Sequence, residues 1–172
     1  MVTIQFYLPQ YREQVINLIL DIQQNEFKVT IRLEEQSGLL KIPDYYQKCK
    51  GNFWIALENN KVVGTIALLD IGNHQAALQK LFVRQDCRGK TIGVGQQLLD
   101  TLLDWAKNQS IRAIYLGTTE AYKAAHRFYE KNDFLEVKQT DLPKNFPLLK
   151  VDTKFYKYEL SRMACEEGDR FP

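Results

Sequence analysis

The sequence predicts an α/β protein built around a mixed sheet, and three observations carry that reading. About seven short segments are apolar runs or alternate in the strand period of two. Between them lie stretches whose apolar residues recur at helical spacing. Their order is a β-meander, then β-loop-α, then β, α and β-β.

"VTIQFYL" alternates well enough for a first strand. Pro9 suits the first turn of a helix, and Val15, Leu18, Ile19 and Ile22 continue it on one face. Glu34 to Cys49 reads as a second helical region, interrupted by Gly38 and Pro43. "NFWIALE" and "KVVGTIALLDI" flank Asn59-Asn60, a hairpin signature, and "AALQKLFV" completes the meander. Leu98, Leu99, Leu102, Leu103 and Ala106 define a strong amphipathic helix. "IRAIYLGT" reads as a buried strand, and "EAYKAAHRFYEKN" as a helix beginning near a Thr/Glu cap. "FLEVKQ" and "TKFYKYEL" are late strands joined by the proline-bearing "DLPKNFPLLKVD". Residues 1–160 are read as a single domain, with 161–172 a tail, disordered or vector-derived.

Composition excludes several classes. The chain has 172 residues, with 23 Lys and Arg against 21 Asp and Glu, so charge gives no reason to expect a nucleic-acid partner. No run of about 18 apolar residues is present to span a membrane, and no secretion signal is evident. Cys49, Cys87 and Cys165 are odd in number and far apart, which argues against disulfide or zinc frameworks; no metal is expected. A reduced, cytoplasmic setting fits this pattern.

The stretch "VRQDCRGKTIGVGQQLL" places glycines and cations in front of a helix. A helix N-terminus offers unpaired N–H groups and a partial positive charge, so phosphate is a natural ligand. A Walker loop would need glycine where Arg84 stands, and a dinucleotide fingerprint would need glycine at Leu98. The Walker reading fails on its first residue, and the dinucleotide match is weak.

Three blocks, "GNFWIALENNKVVGTIALLDI", "LQKLFVRQDCRGKTIGVGQQLLDTLLDWA" and "AIYLGTTEAYKAAHRFYEKNDF", together resemble the GNAT superfamily of acetyl-CoA-dependent N-acyltransferases. The resemblance runs from about Gly51 to Val137, and "VDTKFYKYEL" is similar to the family's C-terminus. It implies a mostly antiparallel central sheet, splayed in the middle, with helices on both faces. The family loop reads Gln/Arg-x-x-Gly-x-Gly/Ala. Beginning it at Arg88 puts Thr91 at the first glycine; beginning at Lys90 puts Gly93 and Gly95 directly before the leucine-rich helix. The second register suits a loop whose glycines must stand where the helix starts.

By this resemblance, coenzyme A would be held by Arg88, Gly89, Lys90, Thr91, Ile92, Gly93, Val94 and Gly95 at its pyrophosphate. Backbone groups of Leu81, Phe82 and Val83 would pair with the pantetheine arm, and one N–H would stabilise the oxyanion. Tyr129 occupies the place of the family tyrosine facing the sulfur, a general acid toward the leaving thiolate; its plain alternative is a core tyrosine. Asp133 replaces the glycine usual before Phe134.

An aliphatic amine is neutral only about once in a thousand at pH 7, so a base is required. Many relatives place a glutamate where this chain has Ala77. Glu120 is the candidate base, its alternative being a carboxylate that satisfies a helix dipole. Glu26, Phe27, Asp44 and Tyr45, with Tyr46, form an acidic and aromatic set suited to a cationic amine. The expected activity is direct acetyl transfer to a primary amine of a small molecule or peptide, by a monomer or homodimer. A non-catalytic acyl-CoA-binding sensor or scaffold is the competing class.

Overall fold

The chain reverses tightly at Asn59 and Asn60, whose φ angles of 51° and 61° are the positive pair that a two-residue hairpin demands. That turn joins β2 (Asn52–Glu58) to β3 (Lys61–Gly72), and a second turn leads into β4 (Gln75–Val83). In this computed structural model, which describes residues 1–89, 91 and 93–160, the remaining strands are β1 (Thr3–Phe6), β5 (Ala113–Thr118), β6 (Leu135–Val137) and β7 (Lys154–Glu159). They form a seven-stranded sheet in the order β1-β2-β3-β4-β5-β7-β6. Every neighbouring pair is antiparallel except β4 with β5.

The strand period of two sends alternate residues of β2 to opposite faces. Trp54 and Ala56 join one cluster, with Leu98, Leu99 and Leu102 of the helix α4 (Val94–Asn108). Phe53, Ile55 and Leu57 join another, with Val15, Ile16 and Ile19 of α1 (Arg12–Leu20). The three α4 leucines are 0% exposed, each burial contributing about 1.5–3 kcal/mol. Helices therefore cover both faces of the sheet. The region after α1 breaks into short pieces, a π turn at Asp21–Glu26 followed by α2 (Ser37–Leu40) and α3 (Ile42–Tyr45).

Two irregularities in the middle of the sheet open it on one side. The β3–β4 register jumps between Thr65↔Phe82 and Ala67↔Gln79, leaving a bulge at Lys80 and Leu81. Lys80 takes the left-handed conformation there, with φ 57°, and the Thr65 hydroxyl donates to its carbonyl at 2.6 Å. The second is a parting of strands. β4 pairs with β5 only from Gln75↔Ala113 to Ala77↔Tyr115, while β5 stays paired with β7 to Thr118.

The helix after β5 starts later than the Thr/Glu cap predicts. α5 spans Lys123–Lys131, and no side chain caps it. The Thr119 hydroxyl instead accepts from the Ala121 N–H at 3.2 Å, and the Thr119 carbonyl lies 2.9 Å from His126 Nε2. These local bonds hold residues 119–122 in a turn that competes with helix. α5 ends as the sequence suggests: Asp133 follows it with φ 67°, the left-handed conformation that aspartate tolerates. The predicted tail, residues 161–172, lies outside the described residues. Among the described residues no helix is long and apolar enough to cross a membrane.

Candidate active site

Where β4 leaves β5, its edge beyond Ala77 is free of strand partners among the described residues, and a cavity of about 380 Å³ opens beside it. Leu81, Phe82 and Val83 line one wall; Thr118 and Thr119 at the end of β5, with Tyr129 of α5, line the other. An unpaired strand edge presents N–H and C=O groups to any extended, amide-bearing ligand.

Tyr129 is 6% exposed, its ring packed against Phe134 and Tyr156 with centroids 5.5 and 5.8 Å away. Its hydroxyl has no hydrogen-bond partner among the described residues, yet no polar side-chain atom there is both sealed from solvent and unpaired. The hydroxyl therefore opens to the cavity that Tyr129 lines. Burial pushes its pKa up, so the phenol stays protonated and available as a proton donor.

A second cavity adjoins the first, sharing Leu81, Val83, Arg88, Ala124 and Ala125 with it, and reaches Gly89, Gly93 and Gly95. Gly93 caps α4 with φ 62°, a conformation that glycine adopts without a Cβ penalty. Gly93, Gly95 and Gln96 at the start of α4 line this cavity, so the unpaired amides of the first turn border it. Thr91 is exposed in the loop. Lys90 and Ile92 lie outside the described residues. Arg88 donates to the Val83 carbonyl at 2.7 Å and makes a bidentate pair with Glu26, Nη2 lying 2.8 Å from Oε2. Its guanidinium also stands over the Phe27 ring, 5.6 Å from the centroid.

Part of the lining of the first cavity is polar. Gln23 and Gln36 exchange two amide hydrogen bonds of 2.9 Å, and Gln36 Oε1 also accepts from Lys80 Nζ at 2.5 Å. The bulge turns Lys80 into the cavity, where desolvation lowers its pKa to about 8 against an opposing pull from Asp152. Asp152 precedes β7 and lines the same space. Burial raises its pKa, while the Leu149 N–H, 3.1 Å from Oδ2, and Lys80 pull the other way. Among the described residues no carboxylate lies within ion-pairing distance of Lys80. The Phe146 side chain, anchored against Ala77, Ala113 and Phe155, helps close the wall.

Sequence-derived site residues thus fall into two groups. Leu81, Phe82, Val83, Arg88, Gly89, Gly93, Gly95, Phe27 and Tyr129 gather around the two cavities. Glu120 is exposed in the turn after β5 and Asp44 is exposed on α3; neither lines the first cavity. Tyr45 packs edge-on against Tyr46, away from that cavity. Glu26 borders a shallower groove, its carboxylate paired with Arg88. Lys80, Gln36, Asp152 and Tyr122 escape sequence reading. Tyr122 packs on Phe27, with centroids 5.0 Å apart, and burial beside Glu26 and Asp152 pushes its pKa up to about 12.

The fold has counterparts among known proteins. The crystal structure of a GNAT-family acetyltransferase from Staphylococcus aureus Mu50 superposes with a TM-score of 0.91 at 40% identity, covering 94% of this chain and all (100%) of that one. A PaiA N-acetyltransferase from Thermoplasma acidophilum, solved with coenzyme A, shares the fold at TM-score 0.72 and 16% identity, with 93% and 99% of the two chains covered. N-acetylaspartate synthetase of Xenopus tropicalis is 36% identical over 106 residues, 59% of this chain and 38% of that protein. Streptothricin acetyltransferase A of Bacillus subtilis is 32% identical over 111 residues, 64% of this chain and 62% of its own. The chain thus spans well under half the length of the synthetase. The profile of the acetyltransferase (GNAT) family matches residues 16–134, most of the sheet and both site helices, and the chain belongs to that family of acetyl-CoA-dependent acyltransferases.

Proposed function

We propose that this protein transfers an acetyl group from acetyl-CoA directly to a primary amine of a small molecule or peptide. The observation that carries this reading is the parting of β4 from β5 with the Tyr129 hydroxyl facing the gap. The site suits the donor along its whole length. The free edge at Leu81, Phe82 and Val83 fits the amides of a pantetheine arm, and the Gly93-capped start of α4 fits a pyrophosphate.

When bound, acetyl-CoA supplies the activated acyl group as a thioester. The protein's own groups then divide the proton work. Tyr129 gives its proton to the departing thiolate sulfur and is reprotonated, through solvent, by the second proton that the nitrogen loses as the amide forms. Asp152 lines the cavity that Glu120 does not, so it receives the proton of the incoming ammonium. One N–C bond forms as one C–S bond breaks, and no covalent enzyme adduct is needed. A backbone N–H on the free edge of β4 polarises the thioester carbonyl.

The relatives' names support amine acceptors of different kinds, an amino acid in N-acetylaspartate synthetase and an antibiotic in streptothricin acetyltransferase. An acetyl-CoA turnover assay against amino acids, polyamines, aminoglycosides and peptide N-termini tests the proposal. Thiol release that depends on one amine class supports it. Tight coenzyme A binding with no thiol release on any amine would make the protein an acyl-CoA-binding module instead.

A further inference from the structure

We propose that the acceptor is a small amine that also carries a carboxylate, held with its anionic end on Lys80 and its amine toward Asp152. This deepens the transferase reading and rests on it for the identity of the reacting amine.

The cavity lining holds two opposite charges, Lys80 and Asp152, that do not form an ion pair with each other. A cation taken out of water is normally paired or hydrogen-bonded on all sides, because an unmatched buried charge is costly. Lys80 lines the cavity, partly buried, and is not ion-paired among the described residues. Its ammonium has three donors, and one is taken by Gln36 Oε1. Gln36 cannot turn away, since its amide is locked to Gln23 by two reciprocal bonds and donates to the Arg32 carbonyl at 3.4 Å. The lysine is therefore held from behind with donors left for a ligand. The bulge makes this placement: with Lys80 at φ 57°, β4 departs from regular alternation and the side chain enters the cavity.

Asp152 lines the same cavity, also desolvated and beyond ion-pairing distance of Lys80. Its position is reserved by Gly117, where a Cβ would come within 2.6 Å of Oδ2. A cation and an anion lining one cavity without an ion pair between them complement a ligand with both charges. The cavity volume of about 380 Å³ must also admit the acyl end of the donor, which selects an acceptor of amino-acid size over a long polyamine. Phe146, Leu149 and Val151 on the wall leave room for an apolar part of the acceptor.

The test pairs L-α-amino acids with their primary carboxamides and their decarboxylated amines. Thiol release is measured with the full chain and with Lys80→Met, which removes the charge, keeps an unbranched side chain and leaves the backbone requirement at this position unchanged. The expected result is that at least one amino acid exceeds both analogues by about tenfold or more in kcat/KM, and that Lys80→Met brings this ratio close to one. Coenzyme A affinity of the variant serves as the check that it is folded. Turnover of amines with no carboxylate preference, or a preference that survives Lys80→Met, overturns the inference and leaves the transferase reading standing. If nothing is turned over, calorimetry of the same amino acids against coenzyme A-loaded protein decides. Binding that is lost in Lys80→Met supports the carboxylate site; no binding overturns it, and the transferase reading is then decided by the wider amine panel.

Discussion

The carboxylate of Asp152 occupies the space that a side chain on Gly117 would fill: a Cβ built there would stand 2.6 Å from Oδ2 and 2.7 Å from Cγ. Glycine at this point of β5 is thus explained by a close approach from a distant loop. Gly117→Ala should push the carboxylate aside, and because the obstructing atoms end a side chain, the fold should survive with a loss of about 1–2 kcal/mol. The acceptor KM should rise about tenfold, a shift of about 1.4 kcal/mol, with coenzyme A affinity near wild type. Steady-state kinetics with both substrates varied checks this, and an unchanged acceptor KM would detach Asp152 from the acceptor.

Tyr129→Phe removes one oxygen from a ring that stays packed between Phe134 and Tyr156. Turnover should fall by about 10²-fold, within the usual range for general acid catalysis, while coenzyme A binding and the thermal midpoint stay close to wild type. Single-turnover rates isolate the chemical step. An unaltered rate would remove the phenol from the mechanism.

Gly93 combines a left-handed backbone with a place beside the proposed pyrophosphate site. Gly93→Asn, which tolerates that conformation, should weaken coenzyme A less than Gly93→Glu, which adds bulk and negative charge. A difference of at least about tenfold in Kd is expected by calorimetry. Equal affinities would move the phosphate site away from the start of α4.

Lys80 gives the protein a pH signature. Its pKa is about 8 in the folded chain against an ordinary 10.5, so between those values the unfolded chain binds more protons. Stability should therefore rise with pH across that window, by at most about 1.4 kcal/mol per unit, with the cost of burying the charge fully present below about 8. The groups around it make the signature specific: Gln36 and Gln23 do not titrate, Asp152 is the neighbouring carboxylate, and Tyr122 stays neutral up to about 12. Urea unfolding from pH 7 to 10 should show this rise in the wild type and a flatter profile in Lys80→Met. Parallel profiles would mean that Lys80 titrates as an ordinary surface lysine.

The frame of the molecule is legible in the sequence because its signals are local. Asn59-Asn60 and the alternation around it specify the hairpin, and the leucines of α4 repeat at helical spacing across a face that is buried in the structure. The start of α5 departs from expectation because Thr119 and Glu120 look like a cap, whereas the Thr119 hydroxyl closes a turn with Ala121. In the site, glycines and Tyr129 stand out as residue types, but the polar part of the cavity lining depends on contacts between distant segments. Gln36 meets Lys80 across 44 positions, and Asp152 reaches Gly117 from the loop before β7. One trace of Lys80 is visible: Gln79-Lys80 interrupts the apolar pattern of "AALQKLFV", as a bulge does. Nothing local in "KVDTKFY" marks Asp152.

A crystal structure with coenzyme A bound tests the central claim most directly. Pantetheine amides should be hydrogen-bonded to the backbone at Leu81, Phe82 and Val83, with the pyrophosphate at the start of α4 and the sulfur facing the Tyr129 hydroxyl. A coenzyme lying outside the gap between β4 and β5, or a sulfur turned away from Tyr129, would contradict it.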